Sequence, residues 1–245
     1  MNSVLVLGSA PDAIRARDFD LSRFSAIVVL NNAWRVRDDW THIVYPEDFP
    51  ESRRPSETSG RQVIEYDQFV PANNAFGGIV YAGGTMAFTG GYWALHALKP
   101  DVLAFLGCDM VYEGDPSKSH FYGQGVPDPL RDDPTLQSLE AKSNRLRWMA
   151  FDRGCICFNL SDKEQSRLTF ERLDADLLGG SLDQIHELAK RRHVTSASRS
   201  QADLALEAEQ QAGWYYESGD YWNSEPPVDA SELAKIDDLW LKVFS

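Results

Sequence analysis

Basic residues are in short supply in this chain. Against 37 Asp and Glu stand only 24 Lys and Arg, a net charge of −13. That balance excludes an extended nucleic-acid surface, which needs a basic stripe, but permits a local pocket for an anionic ligand. Cysteine is scarce as well. The three, Cys108, Cys155 and Cys157, are too few and too odd in number for a disulfide framework. Cys155 and Cys157 lie two apart in an expected strand and so share a side. With no further ligands near them in sequence, they read as buried apolar residues rather than half of a zinc site. No run of about 18 apolar residues occurs, so no membrane span is expected. No basic stretch precedes the first apolar run, which Gly8 and Pro11 interrupt. A signal peptide is therefore not expected, and a cytoplasmic location is the default expectation. There are no repeats, no low-complexity segments and no G-x-G-x-x-G fingerprint. Asp18-Phe19-Asp20 and Asp174-Ala175-Asp176 match a metal-binding Asp-x-Asp by pattern only, and no metal ligand set is visible.

What is present is a series of buried strands, each followed by a turn. Val4-Leu5-Val6-Leu7 is apolar at every position, as in a strand covered on both faces. It runs into Gly8-Ser9-Ala10-Pro11, with Asp12 expected to cap a helical stretch over 13–17. Backbone N–H groups at such a turn suit a phosphate, and a plain structural turn is the alternative. Ala26–Leu30 is a second strand of this kind, ending at Asn31-Asn32, whose amides suit a base or a ribose as well as a turn. Thr41–Tyr45 is a third, stopped by Pro46; His42 near its start reads as structural. Residues 62–66 suit a strand or a helical turn. Thr85 opens a helical region in which Thr89 and Gly90 would present a hydroxyl and an N–H to a phosphate. Val102–Leu106 and Cys155–Leu160 are further strands, and the strand–helix–strand spacing implies parallel crossovers. The fold class expected is α/β: Rossmann-like, a mostly parallel sheet flanked by helices.

Between the last two strands runs a long irregular segment, about 108–133, read as a lid. It carries Asp109, Tyr112, His120, Tyr122 and Gln124 at a strand's carboxyl end, where ligands of open α/β sheets bind. A Rossmann-like nucleotide-binding domain is expected over 1–175. A helical C-terminal extension is expected over 176–245, with helices near 181–192, 200–212 and 230–244. The extension's aromatic cluster, Trp214 to Trp222, suits packing of the extension or stacking on a sugar or base.

In order and spacing, these motifs resemble the bacterial sialyltransferases of glycosyltransferase family 42 over about residues 1–160. Gly8-Ser9-Ala10-Pro11-Asp12 resembles that family's G-N-G-P-S turn, and Asn31 its Asn after the second strand. Thr89-Gly90 resembles its S/T-S-G, Gly107-Cys108-Asp109 with Tyr112 its G-I-D-x-Y, and Ser119–Gln124 its S-H-Y-I-G-H. The resemblance implies transfer of a sugar from a CMP-activated donor to a glycan acceptor, without a bound cofactor. Gly8, Ser9, Ala10, Asn31, Asn32, Thr89, Gly90 and Asp109 would form the nucleotide side. Tyr112 would donate a hydrogen bond to the leaving phosphate, with Tyr122 in the same role. Magnesium would enter with a diphosphate ligand. The family tends to tetramers, which makes a homo-oligomer the associated expectation.

Two departures stand out. The family's general base is the His ending its last motif, where this chain has Gln124, which cannot accept a proton at neutral pH. The motif's Tyr is Phe121 here, with Tyr122 adjacent. Either His120, with an ordinary imidazole pKa near 6.5, takes the base role, or the chemistry differs, or the protein only binds. Two rival functions follow: diphosphate transfer from ATP, as in the similar archaeal 6-hydroxymethylpterin pyrophosphokinases, and non-catalytic nucleotide or glycan binding.

Overall fold

The computed structural model describes residues 1–112, 119–123, 133–176 and 194–245. Seven strands form one sheet in the order β4-β3-β2-β1-β5-β6-β7, and every pairing is parallel. They are β1 (Ser3–Leu7), β2 (Ala26–Leu30), β3 (His42–Val44), β4 (Gln62–Ile64), β5 (Val102–Leu106), β6 (Ile156–Asn159) and β7 (Glu171–Arg172). Among the described residues the α-helices are α1 (Tyr66–Asn74), α2 (Ile79–Ala82), α3 (Met86–Ala97), α4 (Leu139–Phe151), α5 (Ser196–Ala212) and α6 (Ala230–Leu241).

The apolar strands are covered on both faces, and alternation sorts their side chains into two cores. Val4, Val6, Val28, Leu30, Leu103 and Phe105 face the α-helical layer. Leu5, Leu7, Ile27, Val29, Val102, Ala104 and Leu106 face the other side. There the cover is 3₁₀ turns, including Pro11–Asp18 and Asn31–Arg35, with Trp40 and Phe49. α3 is buried over Ala87–Leu95 and lies between the sheet and the outer helices. Its glycines permit that approach: a Cβ on Gly90 would sit 2.6 Å from Leu30 Cδ2, and one on Gly91 3.0 Å from Phe105.

The C-terminal helices share this core. Ala202, Ala205, Leu233, Ile236 and Trp240 belong to the same apolar cluster as α3 and α4. A buried polar junction joins them. The Arg145 guanidinium, 2 % exposed, pairs with both Glu209 oxygens at 2.7 Å and donates to Tyr92 Oη at 2.9 Å. Trp240 Nε1 donates to Glu209 Oε1 at 2.7 Å. Beside it, Lys142 Nζ donates to the Val80 and Tyr81 carbonyls at the end of α2.

Several local expectations are corrected. Asp12 does not cap a helix from outside; it lies within the 3₁₀ turn, whose N-cap is Ala10. Residues 62–66 divide into β4 and the start of α1, which contains Pro71. Asp133-Pro134, which reads in the sequence as a helix cap and first position, opens only one 3₁₀ turn over Pro134–Leu136, and α4 begins afresh behind Ser138, whose hydroxyl accepts from Ala141 N–H. Gln124, most of the expected lid and the helix expected at 181–192 lie outside the described residues. The three cysteines are buried and unpaired, and burial pushes their thiol pKa values up, Cys157 to about 12. No helix among the described residues is long and apolar enough to cross a membrane.

Candidate functional site

The strand order reverses direction between β1 and β5, so the loops leaving their carboxyl ends part and open a crevice. A cleft of about 1060 Å³ lies there. Gly8, Ser9 and Ala10 line it after β1, Asn31 and Asn32 after β2, and Thr85, Met86 and Thr89 at the start of α3. Tyr112, Ser119, His120 and Tyr122 line it beyond β5. Segments far apart in sequence thus converge on one space.

The β1 and β5 turns are fastened together beneath it. Gly8 N–H donates to Leu106 O at 2.8 Å and Ala10 N–H to Gly107 O at 3.0 Å. A Cβ on Gly8 would meet the Gly107 carbonyl and stand 2.7 Å from Cys108 Sγ, so the close approach requires glycine. These bonds also correct the expected backbone cradle for phosphate. Two of the turn's N–H groups are already engaged and Pro11 has none, which leaves Ser9 to face the cleft.

The His120 segment is fastened to the same turn. Phe121 N–H donates to Ser9 O at 3.0 Å, and the half-buried Phe121 ring packs against the core behind the sheet. His120 Nδ1 lies 2.8 Å from Ser119 Oγ. The imidazole stacks on Tyr122 at 4.9 Å between ring centroids, with Tyr112 at 6.4 Å. These three side chains, expected to act together, do stand together.

Two further features mark the cleft. Asn31 and Met110, which follow β2 and β5, have backbone φ of 50° and 54°, a region non-glycine residues seldom occupy. Such conformations cluster at ligand sites. Asn31 and Asn32 each bury an amide oxygen that has no hydrogen-bond partner, a costly arrangement.

Two expected site residues stand elsewhere. Gly90 is in the second turn of α3 and packs on Leu30, because the helix starts at Met86 with Thr85 as its cap. Thr89 lines the cleft through its side chain, while its N–H is spent on Thr85 O at 2.9 Å. Asp109 is buried beside the cleft, not in it. Its carboxylate receives Asn159 Nδ2 at 3.3 Å and lies 2.7 Å from Ser161 Oγ.

Ser161 Oγ is also 2.8 Å from Asp12 Oδ2 and accepts the Lys163 N–H at 3.2 Å. A hydroxyl carries one proton, so it can donate to only one of the two carboxylates. The other carboxyl must donate to it. Of the two, Asp12 is the carboxyl whose proton is held more tightly than usual. Burial first, then the charge of Asp109, pushes its pKa up, and its second oxygen is buried without a partner. A neutral carbonyl tolerates that far better than a carboxylate does.

No protein family, characterised protein or solved structure matches the chain.

Sequence reasoning singled out only one part of the cleft's outer wall, the aromatic cluster ending at Trp222, read there as packing or as stacking on a sugar or base. Glu47, Asp48, Phe49 and Arg53 come from the loop after β3, Tyr66 and Phe69 from α1, and Ser218–Trp222 from the C-terminal region. Arg54 fixes the first of these, donating to Phe49 O at 3.1 Å and resting 4.8 Å over the Tyr45 ring. Among the described residues no three His, Cys, Asp or Glu side chains converge as a metal site.

Proposed function

We propose that the protein is a nucleotide-sugar glycosyltransferase whose donor is a CMP-sugar of the sialic acid class. The observation that carries this reading is the Phe121–Ser9 tether. It holds His120 and Tyr122 against the β1 turn, in the cleft that Asn31 and Asn32 also line. In an open α/β sheet that turn is where a nucleotide's phosphate sits. A base beside the phosphate is what a transferase needs, since the bond broken joins the phosphate to the sugar.

In this reading His120 takes the proton of an acceptor hydroxyl as its oxygen attacks the anomeric carbon. The new glycosidic bond forms as the bond to the phosphate oxygen breaks, and CMP leaves. Tyr112 and Tyr122 donate hydrogen bonds to the phosphate as its charge grows. Ser119, bonded to Nδ1, orients the ring so that Nε2 serves as the base.

The test is CMP release from CMP-sialic acid across a glycan panel. Base removal costs about 10²–10⁴-fold in rate, so His120→Ala should fall by that much and Tyr112→Phe by less. Release that neither substitution slows contradicts the assignment.

One observation favours a second reading. The cleft wall carries Glu47, Asp48, Asp133 and Asp220 against Arg53, a charge balance that suits a nucleotide bound with magnesium. Diphosphate transfer from ATP would then replace glycosyl transfer, and ATP with magnesium in the same assay tells the two apart.

A further inference from the structure

The C-terminal aromatic segment lies outside the part of the chain that resembles sialyltransferases, yet Ser218–Trp222 forms one wall of the cleft. The segment is fixed at several points. Asn74 Nδ2 of α1 donates to Glu217 O at 2.9 Å. Gly219 lies so close to Val70 of α1 that a Cβ there would be 3.1 Å from both methyls. Tyr221 Oη donates to Asp133 Oδ2 at 2.6 Å, and Ser224 Oγ to Asp220 O at 2.8 Å.

Within this anchored strap Trp222 is the exception. It is 69 % exposed, the most exposed large apolar side chain among the described residues, and it lines the cleft. An edge-to-face contact with Tyr221 at 5.2 Å sets its ring. An indole left in water on a rigid support forgoes burial worth having, and a planar partner supplies it at little cost in ordering.

We propose that Trp222 is the stacking platform for the nucleobase of the bound nucleotide; the inference rests on the nucleotide reading above. Position favours a base over an acceptor sugar. The strap is anchored on α1, and the same outer wall is built from the loop after β3. Only β2 lies between β3 and β1, so two strand spacings, roughly 10 Å, separate β3 from β1, where the phosphate turn lies. The acceptor's base, His120, is tethered at that turn, on the far side from β3. A nucleotide with its phosphate at Ser9 and ribose near Asn31 and Asn32 therefore directs its base outward, to Phe49 and Trp222.

The experiment is titration calorimetry on the full chain. CMP, UMP, AMP and GMP are compared first, and the tightest is carried forward with ribose 5-phosphate, which lacks a base. Loss of one base–aromatic stack weakens binding by about tenfold or more. Trp222→Ala should therefore weaken the nucleotide by about that factor and leave ribose 5-phosphate unchanged, and Trp222→Phe should restore most of the affinity. Equal binding by wild type and Trp222→Ala, or equal weakening of ribose 5-phosphate, overturns the stacking role while the nucleotide reading stands. No binding of any nucleotide by the wild type overturns both.

Discussion

Asp12 and Asp109 meet through the single hydroxyl of Ser161, at 2.8 and 2.7 Å, with one proton too few for two carboxylates. Burial and the charge of Asp109 push the Asp12 pKa up, directly under the turn that opens the cleft. A group whose folded pKa is raised binds its proton more tightly in the native state. Its contribution is complete below the unfolded value and is lost as pH rises through the folded one. Asp12→Asn, which mimics the protonated form, should therefore lose less stability than wild type between pH 4.5 and pH 8. Urea denaturation at the two pH values measures this, and equal losses contradict the assignment.

The same sign applies to a second buried acid. Burial pushes Asp237 up to about 7, partly offset by the charge of Lys142. Burial pushes Lys142 down to about 8, partly offset by Asp237. Stability tied to Asp237 falls as pH rises from the ordinary Asp value through about 7. Stability tied to Lys142 is recovered as pH rises from about 8 towards the ordinary Lys value, because only the unfolded chain then holds that proton. The opposite signs of the two shifts give stability a minimum between the falling and the rising limb. Asp237→Asn should flatten the acid side of that minimum, as followed by melting temperature across pH.

Arg145 and Glu209 join α4 to α5 within the core. Removing one member of a buried pair leaves the other charge uncompensated, at about 3–5 kcal/mol. Arg145→Met should cost that much in denaturant unfolding. The double variant Arg145→Met with Glu209→Leu should recover a large part, since the stranded charge is then gone too. A double variant no better than the single one would contradict the pair as the source of the loss.

Gly8→Ala forces apart the β1 and β5 turns, because its methyl would overlap the Gly107 carbonyl. Overpacking of this kind costs about 1–3 kcal/mol. The larger effect expected is on ligand affinity, since the same displacement moves Ser9 and the Phe121 tether. Wild-type nucleotide affinity in a folded Gly8→Ala variant would place the binding site elsewhere.

How far the sequence foretold this arrangement depends on the kind of signal. β1, β2 and β5 were legible because strands covered on both faces are apolar at every position, as in Val102–Leu106. β4 and α1 were not: β4 has three residues with Gln62 exposed, and Pro71 interrupts the pattern of α1. The inner wall of the cleft was legible because its residues follow strand ends directly, Ser9 after β1 and Asn31 after β2. Gly90 misled, because a small residue early in a helix reads the same whether it meets a phosphate or, as here, packs on Leu30. Asp109 misled because a strand-end acid reads the same whether it turns to ligand or to Ser161. The outer wall was legible only in part: the aromatic cluster ending at Trp222 suited stacking on a sugar or base, whereas nothing local marked Glu47, Asp48 or Arg53. Arg53 and Trp222 become neighbours of the cleft only through the packing of α1 and the C-terminal strap, which no periodicity reports.

The central claim is that this cleft holds a nucleotide. Its most direct test is the melting temperature of the wild-type chain with CMP, CDP, UMP, UDP, GDP and ATP, each with and without magnesium. Ligand at 100 times its Kd stabilises by about 2.7 kcal/mol, a shift of several degrees. The account predicts such a rise with CMP, independent of magnesium and reduced in Trp222→Ala. No shift with any nucleotide would contradict it, and a shift with ATP and magnesium alone would contradict the cytidine assignment and favour diphosphate transfer.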